Sequence, residues 1–230
     1  MLTERALYRL MTWLSPSFPV GGYSYSHGIE FAIEDGLITD RISLTRWVEA
    51  IIRHGAGRND AILFRSAWQA VADDDPVALA EVAEMADALR ATPEMALEST
   101  AQGQAFLDTL TKAWPDTNFQ TWAQTLADLD RPPAYAVAVG VAAAASSVPL
   151  GHALTAYLHA TAANLISAGV RLVPLGQTDG QLAQAALEVP TQAATEQALR
   201  RPLDEFGSAT PMVDWTSMKH ETQYTRLFRS

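Results

Sequence analysis

The sequence contains no cysteine, which excludes disulfides, thiolate metal ligands and cysteine nucleophiles. Stability must therefore come from a packed core. A chain of 230 residues, of which 48% are hydrophobic, can form such a core within one domain. The lack of cysteine also suits a reducing compartment, and we expect a cytoplasmic protein.

Basic residues are scarce, with 16 Lys and Arg against 26 Asp and Glu, giving a formal net charge of −10. No cluster of Lys and Arg interrupts this acidic balance. A surface of this kind repels a polyanion, so we expect no nucleic-acid partner.

One stretch, residues 132–170, contains no Asp, Glu, Lys or Arg. Pro149 and Gly151 interrupt it, His152 and His159 add polar groups, and much of the remainder is alanine. Polar groups are costly in hydrocarbon and alanine gains little by entering it. We therefore predict two helices buried on nearly all faces within the protein and no membrane contact.

The sequence lacks the common catalytic motifs: GxGxxG, the phosphate-binding loop ending in Lys-Ser or Lys-Thr, GxSxG and HExxH. Glu30 and Glu34, one helical turn apart, resemble a carboxylate pair, but solvated side chains are the simpler interpretation. We predict a protein that is not an enzyme. A helical enzyme using Glu30 or Asp179 as its acid is an alternative.

The five histidines offer no obvious metal site. His152 and His159 are seven residues apart, which places them about 10 Å apart along a helix, too far to share one ion. We therefore predict no metal site and no cofactor. A metal-binding protein with histidine ligands is the alternative function.

Apolar residues recur at three- and four-residue steps almost throughout, and no convincing strand pattern occurs. This predicts an all-α, single-domain bundle of about ten helices over residues 1–206. Asp75 and Thr92, each followed by proline, are predicted N-caps, as is Asn118. Pro149 is predicted to open a long helix.

Three stretches break the helical pattern and are the expected functional segments. They are residues 15–28, residues 176–181 and residues 207–230. The last is predicted to be a flexible C-terminal tail, in which Lys219, Arg226 and Arg229 outnumber Asp214 and Glu221. The tail either folds back onto its own domain or becomes ordered on a partner; its Tyr, Phe and Arg residues favour the second.

At or beside these segments lie three recognisable stretches: Leu14-Ser-Pro-Ser-Phe-Pro-Val-Gly-Gly-Tyr-Ser-Tyr-Ser-His-Gly-Ile-Glu30, Arg171-Leu-Val-Pro-Leu-Gly-Gln-Thr-Asp-Gly-Gln181 and the ending His220-Glu-Thr-Gln-Tyr-Thr-Arg-Leu-Phe-Arg-Ser230. Together they resemble the urease accessory protein UreF family. Their order and spacing match over nearly the whole chain.

The resemblance implies an all-α, non-enzymatic scaffold or chaperone for nickel insertion. Such proteins form homodimers, bind the UreD/UreH accessory protein and the UreG GTPase, and dock on apo-urease. We predict partner contacts at Pro19, Gly21, Gly22, Tyr25, Ser26, Gly28, Glu30, Gln177, Thr178, Asp179, Gly180, Gln181, His220, Glu221, Tyr224, Arg226, Leu227 and Phe228.

Overall fold

The computed structural model describes all residues from Met1 to Ser230. It confirms an all-α fold, with twelve α-helices, one 3-10 turn and no strand, where the sequence indicates about ten helices. The α-helices are α1 (Glu4–Trp13), α2 (Ile29–Glu34), α3 (Arg41–His54), α4 (Ala56–Ala72), α5 (Pro76–Ala88), α6 (Pro93–Ala113), α7 (Thr117–Ala127), α8 (Tyr135–Ala145), α9 (Leu150–Leu172), α10 (Gln177–Ala186), α11 (Glu188–Arg200) and α12 (Pro211–His220), and the 3-10 turn is Gly22–Ser24.

The uncharged stretch forms the two helices predicted from it, α8 and α9. Every residue of α8 from Ala136 to Ala143 is buried, and the helix packs against α4, α6, α7 and α9. Helix α9 follows Pro149 and supplies one wall of the core. No helix in the structure is both long enough and apolar enough to cross a bilayer.

Side-chain caps fix several helix starts, mostly as predicted. Asp75 and Thr92 accept hydrogen bonds from the first backbone amides of α5 and α6, and each is followed by proline. The prediction for Asn118 is wrong, because Asp116 caps α7 instead. Asn118 lies inside that helix and donates from Nδ2 to the Ala145 carbonyl at 3.0 Å.

Aromatic packing fixes the irregular segment that follows α1. Phe18 is buried, with its ring centroid 5.3 Å from that of Phe106 and 6.2 Å from that of Trp114. Asn164 of α9 donates from Nδ2 to the Gly22 carbonyl at 2.9 Å. The segment is therefore held at both ends although most of it is not helical.

Helices α4 and α8 approach so closely that a side chain at Gly140 has no room. A Cβ atom there would lie 2.6 Å from the backbone oxygen of Phe64. We predict that Gly140→Ala lowers the free energy of unfolding by about 1–3 kcal/mol, the usual cost of overpacking, as measured by urea denaturation.

Gly151→Ala is the matched control for this prediction. Gly151 is also helical, but the nearest atom to its Cβ position is Leu199 Cδ1 at 3.9 Å. The control is expected to be neutral or to stabilise by up to about 1 kcal/mol, because alanine is the better helix former. Equal stability of the two variants would contradict the packing argument.

Candidate functional site: a tail anchored on Glu30

The Glu30 carboxylate is the point at which the first and last segments of the chain meet. It is buried in the first turn of α2. Its Oε1 accepts a hydrogen bond from the Leu227 amide at 2.7 Å, and its Oε2 accepts one from the Phe228 amide at 2.9 Å. The His220 ring lies on the same oxygen, with Nε2 at 3.1 Å.

The prediction of a solvated Glu30 is therefore wrong. Burial of a carboxylate is unfavourable in isolation, but here two backbone amides and a histidine replace its water. Glu34, one turn further on, is exposed and accepts a hydrogen bond from the Gln223 side chain. The two glutamates do not act as a pair.

His220 is completely buried between two carboxylates. Its Nδ1 lies 2.8 Å from Glu94 Oε2, and its Nε2 faces Glu30. The imidazolium form satisfies both contacts, since it donates from both nitrogens. Arg226 donates to Glu94 Oε1 at 3.0 Å, so two acidic and two basic side chains meet in one network.

The end of the tail pairs with the first irregular segment through backbone groups. The Ser230 carbonyl accepts hydrogen bonds from the Ser26 amide, at 2.7 Å, and from the Ser26 hydroxyl. The Arg229 amide donates to the Ser24 carbonyl at 2.8 Å. The tail thus continues past Glu30 as an extended segment held along residues 24–26.

Gly28 allows α12 to approach this segment. Its φ of +78° lies in the left-handed region, and a Cβ atom there would lie 2.8 Å from the Ser217 amide nitrogen. Glycine is therefore required on two grounds. Helix α12 also contacts α2 and α6, and the Ser217 hydroxyl bonds that of Thr92 at 2.7 Å.

A contact from Arg171, near the end of α9, completes the anchorage. The Arg171 guanidinium carbon lies 4.4 Å from the centroid of the buried Phe228 ring, in a cation–π arrangement. Partial burial lowers the pKa of Arg171, which nevertheless stays a cation. The first and last segments therefore form one site together with Glu94 and Arg171, and we call it the tail site: residues 24–30, Glu94, Arg171 and residues 220–230.

The second segment forms the start of a helix, so the prediction that residues 176–181 break the helical pattern is wrong. Helix α10 begins at Gln177, and Asp179 Oδ2 accepts a hydrogen bond from the Gly176 amide at 3.2 Å. Asp179 Oδ1 also lies 3.7 Å from Arg41 Nε. Asp179 and Gly180 therefore lie at the start of helix α10 and do not form an isolated turn.

The residues predicted to contact partners divide by exposure. Pro19, Gln177, Thr178, Gln181, Glu221, Tyr224, Arg226 and Leu227 are exposed, and Gly21, Gly22 and Asp179 are half-buried. Tyr25, Ser26, Gly28, Glu30, Gly180, His220 and Phe228 are buried within the protein. Among the buried residues, Glu30 holds the backbone amides of Leu227 and Phe228 in the tail.

Residues 207–230 do not project from the domain in this structure. They contain α12, and of the two arrangements considered for the tail, folding back onto its own domain is the one observed. Ordering on a partner stays a prediction. Tyr224 is nevertheless fully exposed, and Leu227 is 66% exposed.

Sequence reasoning missed Glu94 and undervalued Arg171. Glu94 follows Thr92-Pro93 and looks like an ordinary first-turn acid at a helix N-terminus. His152 and His159 are exposed on α9, and no group of three or more His, Asp or Glu side chains in the structure could hold a metal ion.

Sequence comparisons identify the family to which this chain belongs. The sequence model of the UreF family matches residues 38–188. The chain belongs to the UreF family. Three proteins named urease accessory protein UreF match nearly the full length of the chain, beyond the residues that the family model covers. That of Granulibacter bethesdensis is 50% identical over 227 residues, covering 99% of this chain and 95% of the relative.

The other two UreF relatives are similar to the same extent. The protein of Rhodopseudomonas palustris strain BisB5 is 50% identical over 225 residues, covering 98% of this chain and 91% of the relative. That of Magnetococcus marinus is 48% identical over 234 residues and covers both chains completely. The resemblance of this chain to the UreF family, noted from three segments, is confirmed.

We predict that Glu30→Gln loosens the tail. Glutamine has one acceptor oxygen, so it cannot accept from both backbone amides and face His220. Loss of hydrogen bonds to a charged group is expected to cost about 1.5–3 kcal/mol of unfolding free energy. Hydrogen exchange of the Leu227 and Phe228 amides should become faster.

Glu34→Gln is the control, since Glu34 lies on the same helix but is exposed. It is expected to leave both amides protected. If Glu30→Gln left them equally protected, the carboxylate would not be the anchor of the tail.

Proposed function

We propose that this protein is a non-enzymatic scaffold in urease maturation that presents the tail site to the UreD/UreH accessory protein. In this proposal it also binds the UreG GTPase, and the assembly docks on apo-urease in the cytoplasm so that nickel, the cargo, is inserted. The observation that carries the proposal is an exposed set of Tyr224, Arg226 and Leu227 held on a buried polar anchor.

The chemistry of these exposed side chains is that of a protein-binding surface. Tyrosine and arginine are enriched among residues that dominate interface energetics. The Tyr224 ring does not pack within the domain, since the residue is fully exposed. Arg226 is held by Glu94, which reduces the entropy lost when a partner binds it.

The second set of exposed predicted residues lies on the first turn of α10. Gln177, Thr178 and Gln181 present amide and hydroxyl groups to solvent. Such a polar patch suits the rim of an interface better than its centre. We assign it to a further partner contact, and the homodimer implied by the family is part of the same proposal.

A direct nickel-binding role for the histidines has less support. His27 and His220 are each paired with carboxylates inside the domain. His152 and His159 are isolated from other ligands on α9. The scaffold is therefore the function that the geometry favours.

We predict that Tyr224→Ala weakens binding to the purified UreD/UreH partner by about 1–3 kcal/mol, roughly 5- to 150-fold in Kd. Calorimetric titration measures the affinity. The free energy of unfolding should not change, because the side chain contacts nothing in the domain.

Tyr8→Ala is the matched control, because Tyr8 is 67% exposed on α1, outside the tail site. It is expected to leave this affinity unchanged. Equal affinities of the two variants would contradict the assignment. Urease activation in a strain that lacks this chain gives the functional readout, where Tyr224→Ala should be impaired and Tyr8→Ala should not.

Phe228→Ala is expected to weaken the same association by about 1–3 kcal/mol, but for a different reason. Its ring packs under Arg171, so its loss should first increase hydrogen exchange in the tail. Deletion of residues 208–230 is a poorer test, since it removes α12 and exposes the surfaces of α2 and α6 that this helix covers.

A further inference from the structure

A deep cleft lies beneath the first irregular segment. Residues 14–23 form its roof, and α4, α6 and α9 supply its walls. Its volume is about 490 Å³, within the range of small-molecule sites. The tail-site contacts described above do not fill it.

One end of the cleft carries a buried polar network. Arg90 Nη1 donates to Asp60 Oδ1 at 2.9 Å, and the Tyr157 hydroxyl donates to Asp60 Oδ2 at 3.0 Å. Beside them, His27 Nδ1 lies 3.2 Å from Glu98 Oε2. The Arg90 side chain is nine-tenths buried.

Two nitrogens of this network have no partner within the protein. They are Arg90 Nη2 and His27 Nε2, and both atoms are buried. A buried N–H group without an acceptor is unfavourable, so such groups in native proteins usually meet water or a ligand. Both residues line the cleft, which indicates that its contents supply an acceptor for Arg90 Nη2 and a hydrogen-bond partner for His27 Nε2.

The charges around the cleft restrict what its ligand can be. Burial alone would lower the pKa of His27, but the neighbouring Glu98 carboxylate and the more distant Asp60 raise it overall. Even with His27 protonated, Arg90 and His27 do no more than balance the charges of Asp60 and Glu98. An anion would therefore find no net positive charge, and an arginine N–H cannot ligate a cation.

The rest of the cleft is largely apolar, with Phe18, Val20, Met95 and Leu165 among its lining residues. Two side-chain amides, those of Gln102 and Asn164, also face the roof at Gly22. A ligand that fits has a carbonyl oxygen for the unpaired donors, N–H groups for amide or carboxylate oxygens, and an apolar part.

We propose that this cleft binds a small neutral carboxamide bearing an apolar group, with its carbonyl oxygen accepting from Arg90 Nη2. The cleft adjoins the tail site, since it shares His27 with that site and its Glu98 Oε2 accepts a hydrogen bond from the Ser230 hydroxyl at 3.0 Å. The proposal does not depend on the scaffold function. Its polar end selects for the uncharged amide, and its apolar end accommodates the substituent.

Three probes of one shape test the proposal: benzamide, benzoate and benzamidine, which are neutral, anionic and cationic at neutral pH. Saturation-transfer NMR and calorimetry with the full-length protein should show binding of benzamide at millimolar concentrations or below. Shift changes should map to cleft residues. Absence of benzamide binding, or tighter binding of either charged probe, would overturn the proposal.

Two variants locate the site independently. Arg90→Lys keeps the charge beside Asp60 but removes the planar second nitrogen, and should weaken benzamide binding by about tenfold. Ala163→Phe fills the cleft from α9 and should abolish binding, whereas Ala185→Phe, at an exposed position on α10, should not alter it.

Circular dichroism checks that each variant is folded, and the shift map of the unmodified protein decides the location without any variant. Unchanged binding by folded Ala163→Phe, or changes that map outside the cleft, would place the ligand elsewhere and refute the assignment.

Discussion

A buried carboxylate that accepts hydrogen bonds from the end of its own chain is the constraint on which the functional surface depends. Glu30 holds two consecutive backbone amides of the tail and faces His220, which in turn reaches Glu94. Charged groups removed from water are tolerable only when such partners are complete. The tail is therefore held by one connected network of hydrogen bonds, and the loss of any of these partners leaves a buried group unpaired.

In this arrangement, the side chains that fix the tail backbone are different from those that are exposed to solvent. The buried side chains Ser26, Glu30, His220 and Phe228 fix the backbone, while Tyr224 and Leu227 point outward. A partner that binds a pre-ordered segment loses less conformational entropy than one that must order it. A short peptide stretch without regular secondary structure can thus offer defined anchors.

The helical body could be predicted largely from sequence because its determinants are local. Three- and four-residue apolar spacing, and the Asp-Pro and Thr-Pro starts of α5 and α6, act within a few residues. The same locality explains the error at α7, where Asp116 and Asn118 are both good capping residues and spacing alone does not choose between them.

Only the first and last segments of the site could be predicted, without their contacts. The burial of Glu30 depends on His220, 190 positions later, and no local pattern carries that information. Glu94 looked like an ordinary helix-start acid for the same reason. The cleft was missed because Asp60, Arg90 and His27 come from different parts of the chain and form no motif.

The bonds of Ser24 and Ser26 to the last two residues have a consequence for the roof of the cleft. Residues 14–23 continue directly into these two serines, so a protein that pulls Arg229 and Ser230 away frees one end of that roof. Free-energy coupling between two binding events acts equally in both directions. Ligand binding in the cleft and partner binding to the last two residues would then each change the affinity of the other, through this short stretch of backbone.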